Sequence, residues 1–98
     1  MYIINIAVND HVSAEQHDKL FAEHTEWFKK YFQAGKFLML GPFKDQANAG
    51  VIFAVTESRA ELDRILAEDC YYPNLASYEI REFEPKLIAA NIAEFAGK

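Results

Sequence analysis

The sequence predicts an α+β domain of order βαββαβ, followed by a short helical tail. Three observations carry that reading. Two capping boxes each open a stretch of helical apolar spacing. Four short apolar runs are bounded by Gly, Pro, Asn or Ser. One of those runs is apolar on both faces, which asks for cover on both sides of a sheet.

Tyr2 to Val8 is rich in β-branched and small residues, with Asn5 the one polar interruption, and reads as the first strand. Ser13-Ala14-Glu15-Gln16 is a capping box, because Ser13 and Gln16 can each satisfy an orphan amide at a helix start. The helix carries a wide stripe of Leu20, Phe21, Trp27, Phe28, Tyr31 and Phe32, and Gly35 ends it in the left-handed conformation. Lys36 to Leu40 is the doubly apolar strand, stopped at Gly41-Pro42 because proline has no amide for a ladder. Asn48-Ala49-Gly50 turns the chain into a third strand, Val51 to Thr56. Ser58-Arg59-Ala60-Glu61 opens the second helix, with stripe Leu62, Ile65 and Leu66. Pro73 and Asn74 break the chain before the fourth strand, Ser77 to Phe83, where Tyr78 and Ile80 share a face. Past Pro85, the spacing of Ile88, Ile92 and Phe95 predicts a short amphipathic helix. The 98 residues thus form one domain, with a core over 1–85 and a helical extension over 86–98. Two helices cover one face of a four-stranded antiparallel sheet, and the doubly apolar strand predicts a second subunit over the other.

Composition excludes several functions. The net charge of −5 leaves phosphate-backbone binding without an electrostatic source. RNA-recognition domains share this element order, and Gly50-Val51-Ile52-Phe53-Ala54-Val55 has the rhythm of their third strand. It lacks the basic residue before the glycine and the base-stacking aromatic, so no nucleic-acid partner is expected. Cys70 is the only cysteine, which fits a reducing compartment. The first ten residues lack a basic n-region, and no apolar run approaches the roughly 18 residues of a membrane span. A cytoplasmic protein with no membrane partner is expected.

Two ionisable residues interrupt the apolar stripes. His24 lies three or four positions from Leu20, Phe21, Trp27 and Phe28, so it points where they point. Asp69 has the same relation to Ile65 and Leu66. An inward histidine is ordinarily satisfied by a backbone carbonyl, and a carboxylate past a helix end is ordinarily solvated. The sharper reading is a pair. Burial and the negative helix end disfavour charge on Asp69, whereas a cationic His24 beside it favours that charge. Histidine changes protonation near neutral pH, so such a pair can move protons without a cofactor. No metal is expected: His17 and His24 are separated by about 10 Å of helix, whereas nitrogens sharing a zinc must each lie about 2 Å from it. His11 and His17 are read as surface residues, and Cys70 as a small packing residue.

The segments H24-T-E-W-F-K-K-Y-F-Q-A-G-K-F-L-M-L-G-P, G50-V-I-F-A-V, D69-C-Y and Y78-E-I-R-E-F-E-P85, in this order and spacing, resemble the YCII (YciI-like) family from Tyr2 to about Pro85. The resemblance implies a ferredoxin-like subunit that dimerises sheet to sheet as a dimeric α/β barrel. It also implies a pocket between helices and sheet, in which His24 and Asp69 match an acid–base pair. Cys70 stands where the family usually has proline, Phe21 where many members have arginine, and the residues after Pro85 are extra. Without that arginine a carboxylate anchor is missing, and the aromatic lining favours a flat, weakly charged ligand. A family member of assigned activity is a dehydrochlorinase acting on a chlorinated hydroxyhydroquinone, and muconolactone isomerases share the related barrel. The resemblance therefore implies a lyase or isomerase without cofactor, acting on a small oxygenated ring. His24 and Asp69 are its catalytic residues, and Tyr71, Tyr72, Trp27 and Pro42 its ligand contacts. Two alternatives stay open: a non-enzymatic dimeric binding or accessory module, and a cofactor-free monooxygenase on the same barrel.

Overall fold

In the computed structural model, which describes all residues Met1–Lys98, the capping boxes sit where the helices begin. Ser13 Oγ accepts from the Gln16 amide at 3.1 Å and opens α1, Ala14–Gln33. Ser58 Oγ accepts from the Glu61 amide at 3.1 Å and opens α2, Arg59–Leu66. The Glu61 carboxylate reaches back to the Glu57 amide, one residue beyond the usual target of a capping box. At the other end of α1, Gly35 takes φ +78, and the amides of Gly35 and Lys36 bond the carbonyls of Phe32 and Tyr31. That is the Schellman ending, in which the left-handed residue lets two orphan carbonyls be satisfied.

The strands are β1 (Tyr2–Val8), β2 (Phe37–Pro42), β3 (Ala49–Ala54) and β4 (Ala76–Glu82), all paired antiparallel in the order β2-β3-β1-β4. Each helix crosses over a strand lying between the two it connects, so both helices fall on one face. This α+β arrangement is that of a ferredoxin-like fold. Alternation divides the sheet. Ile4 and Ile6 of β1, Ile52 and Ala54 of β3, Phe37 of β2 and Ala76 of β4 are buried toward the helices, against Trp27 of α1 and Leu62, Ile65 and Leu66 of α2.

Three local expectations need revising. Gly50 belongs to β3 rather than to a turn, and a β-carbon there would come within 2.6 Å of the Gly41 carbonyl oxygen. Its missing side chain lets β2 close onto β3; the turn itself is carried by Asn48 at φ +56. The second strand does not stop at Gly41-Pro42 but pairs on through Pro42 opposite Gly50, and a bulge between Phe37 and Met39 leaves both Leu38 and Met39 half exposed on the face away from the helices. Finally, the extension is not an amphipathic helix. Only a 3₁₀ turn, Ile92–Phe95, forms in it, and Leu87, Ile88, Ile92 and Phe95 are all exposed. A helix this short gains its stability from an apolar face against a partner, and in the single chain this stretch has none. No helix is long and apolar enough to cross a membrane.

Candidate active site

His17, Phe21, His24 and Phe28 follow one another on α1 at steps of three or four residues, so their side chains share a face. All four line a cavity of about 450 Å³ between α1 and the sheet. Its floor includes Ile6 and Ile52, and Gly41, Pro42, Phe43 and residues 46–49 form its far side. The size suits a small-molecule ligand.

At His24 the geometry is specific. Its Nδ1 lies 2.8 Å from Asp69 Oδ1, with the carboxylate wholly buried and the imidazole side chain 15% exposed. Asp69 reaches that position because the chain keeps turning beyond α2: the amides of Glu68 and Asp69 bond the carbonyls of Ile65 and Leu66. The second carboxylate oxygen is also occupied. Tyr78, on the helix-facing side of β4, donates its hydroxyl to Asp69 Oδ2 at 2.6 Å. Burial, and then the adjacent Asp69, push the Tyr78 hydroxyl far above the usual phenol range, so it stays a donor.

An ionised carboxylate only accepts, so Asp69 assigns the His24 proton to Nδ1 and leaves the Nε2 lone pair free. His24 Nε2 has no partner in the protein, and no buried side-chain polar atom lacks one, so Nε2 is reachable by solvent or ligand. The arrangement can accept a proton at Nε2 while the carboxylate stabilises the resulting cation. No group of three or more His, Cys, Asp or Glu side chains converges closely enough to hold a metal ion.

Among the other residues singled out from the sequence, Tyr71 and Pro42 line the cavity. The Tyr71 ring meets His24 edge-on, with centroids 5.4 Å apart. Trp27 and Tyr72 stand outside the lining. Trp27 is buried and donates Nε1–H to the Ile65 carbonyl at 2.9 Å, pinning α1 to α2 beneath the His24 ring. Tyr72 is 41% exposed and leans on Tyr78. Cys70 is half-buried and its thiol donates to the Leu20 carbonyl; burial first, then Asp69, push its pKa up to about 11.

Two residues of the site escaped the sequence reading. The sequence puts Tyr78 and Ile80 on one face of a strand, and that alternation is the only signal bearing on where the Tyr78 hydroxyl goes. His17, read as a surface residue, is partly buried: its Nδ1 lies 2.8 Å from the Tyr71 hydroxyl and its ring faces the cavity. Its position seven residues before His24, two turns along the same stripe, was the available clue.

Residues 1–84 match the family model of the YCII-related domain, which leaves only the extension outside the match. No curated protein matches the chain.

Proposed function

The chain belongs to the YCII-related family, and we propose that it is a cofactor-free acid–base enzyme of the lyase or isomerase kind. Its substrate is a small oxygenated ring compound, such as a lactone or a hydroxyhydroquinone with or without chlorine. The carrying observation is the contact of His24 Nδ1 with the buried Asp69 carboxylate, which leaves Nε2 facing an otherwise largely apolar cavity. His24 Nε2 takes a proton from a ring carbon or hydroxyl, and Asp69 holds the imidazolium so formed. In an isomerisation the same nitrogen returns the proton to another carbon. In a dehydrochlorination the electron pair left by the proton expels chloride. Both reactions balance without an oxidant or a metal.

Turnover of chlorinated and hydroxylated quinols and their lactones, by the wild type and by His24→Ala, tests the reading. Activity lost in a folded variant supports it, and full activity in that variant overturns it. The aromatic ladder on α1 also favours a second reading, a dimeric ligand-binding or accessory module, because Phe21 and Phe28 offer stacking surface whether or not a proton moves. Either protein pairs sheet to sheet as a dimer that closes an α/β barrel, given Leu38 and Met39 bare on the outer face. The single thiol accords with the cytoplasm.

A further inference from the structure

The two cavity histidines are held by one device used twice. His24 is held at Nδ1 by Asp69, and His17 is held at Nδ1 by Tyr71, two residues further along the same segment. Neither Nε2 has a protein partner, and neither is sealed from solvent, because no buried side-chain polar atom is left unpaired. Both rings line the same cavity.

The holding groups differ in chemistry, and this sets opposite roles for the two free nitrogens. Asp69 accepts the His24 Nδ1 proton, so His24 Nε2 presents a lone pair. Tyr71 is a hydroxyl, protonated at neutral pH as any phenol is, and burial, with Cys70 and Asp69 adding to it, pushes its pKa further up to about 12. Its one hydrogen has two acceptors in reach, His17 Nδ1 at 2.8 Å and the His17 carbonyl at 3.4 Å, and the shorter contact favours Nδ1. His17 then carries its proton on Nε2 and presents a donor. Between the two rings stands Phe21, with centroids 5.8 Å from His17 and 6.1 Å from His24. Two helical turns separate the histidines by about 10 Å along the axis. That spacing is on the scale of one six-membered ring held by a hydrogen bond at each end.

We propose that His17 and Tyr71 form a second polar subsite, which binds a neutral carbonyl-type oxygen on the edge of a planar ring opposite to the atom facing His24. The inference rests on the cavity being the ligand site proposed above. The oxygen is neutral rather than a carboxylate because Asp18 also lines this end of the cavity and repels an anion. In the reaction His17 keeps its proton. It donates a hydrogen bond to the oxygen that gains electron density when His24 removes a proton across the conjugated ring, so no bond forms or breaks at this end.

The test is binding, read without turnover, using 4-hydroxyacetophenone and 4-ethylphenol; one has a carbonyl where the other has a methylene, and the variants below separate the His17 contact from the more acidic phenol of the ketone. Calorimetric titration of the full chain is expected to show the ketone bound about three- to tenfold more tightly, the worth of one neutral hydrogen bond. His17→Phe is expected to abolish that preference, read as the ratio of the two affinities within the variant. His17→Gln, whose amide can place a donor near the old Nε2, is expected to restore part of it. Tyr71→Phe keeps the buried ring and provides a second variant: freed of the hydroxyl, His17 no longer favours the Nε2–H tautomer, and the preference falls. The proposal is overturned if the ketone shows no saturable binding, if wild type binds both probes equally, or if His17→Phe leaves the preference intact. Failure of the acid–base reading looks different: His24→Ala would leave turnover unchanged, with the His17-dependent preference still present.

Discussion

Tyr78 donates its hydroxyl to Asp69 Oδ2 at 2.6 Å, on the carboxylate oxygen that His24 leaves free. The wholly buried carboxylate is therefore satisfied from two elements, β4 and α1, and can neither rotate nor meet water. Tyr78→Phe keeps the ring and removes only this donor. Stranding a buried acceptor is expected to lower stability by about 1–3 kcal/mol. A urea midpoint equal to the wild-type value would show that the bond does not hold the site together.

His24 and Asp69 act as one unit in the proposed reaction. His24→Ala and Asp69→Asn are each expected to slow turnover on the order of 10²–10⁴-fold. The double variant is expected to be little worse than the poorer single one, because the orienting group has nothing left to orient. Additive losses would mean that the two residues contribute separately, and would break the mechanism. Thermal unfolding measured alongside separates lost chemistry from lost fold, since a purely structural His24 lowers stability and leaves the rate per folded molecule alone.

Cys70 offers a pH test independent of any substrate. An ordinary thiol titrates at 9.0, whereas burial and the neighbouring Asp69 push Cys70 up to about 11. Only the thiolate is alkylated, so at pH 9 its labelling by iodoacetamide is expected to be about fiftyfold slower in the native protein than in urea. The folded state holds this proton more tightly than the unfolded chain, so the contribution to stability is complete below about pH 9 and is lost as pH rises through about 11. Equal labelling rates in buffer and in urea would show the thiol to be open.

Spacing alone brought His24 and Asp69 onto facing stripes, because a helix fixes direction every three or four residues and both lie on or just past one. The same arithmetic fails where periodicity stops. Tyr71 and Tyr72 are adjacent in a segment without regular structure, and nothing in the sequence says that Tyr71 turns in while Tyr72 turns out. Trp27 shares a stripe with His24 and so read as a ligand contact, but its indole N–H needs a buried acceptor, and the Ile65 carbonyl draws it into the core. Ile88, Ile92 and Phe95 have helical spacing, yet spacing marks only the face that a helix would bury, and the single chain supplies no surface there.

The outer face of the sheet yields the last prediction. Ile3, Phe53 and Met39 form a cross-strand row over β1, β3 and β2, and the β4 residue opposite Ile3 is Arg81. Ser77 and Glu79 share that side of β4, and Asn5 of β1 lies beside Glu79, so the face is apolar over three strands except at Asn5 and polar along one edge. Only 12 of the 98 residues are buried in the single chain, a small core that gains from burial against a second copy. Light scattering at micromolar concentration is expected to give twice the 11.2 kDa of one chain, or an even multiple of it for an assembly of dimers. Met39→Glu is the discriminating variant. Met39 is 46% exposed in the single chain, so a carboxylate there is expected to change the fold's own stability by no more than about 0.5 kcal/mol. In a sheet-to-sheet dimer the same carboxylate would be buried without a partner, a cost of several kcal/mol, and the dimer is expected to fall apart into folded chains. A wild-type mass of one chain would sink the barrel. A variant that stays dimeric would move the interface to another face.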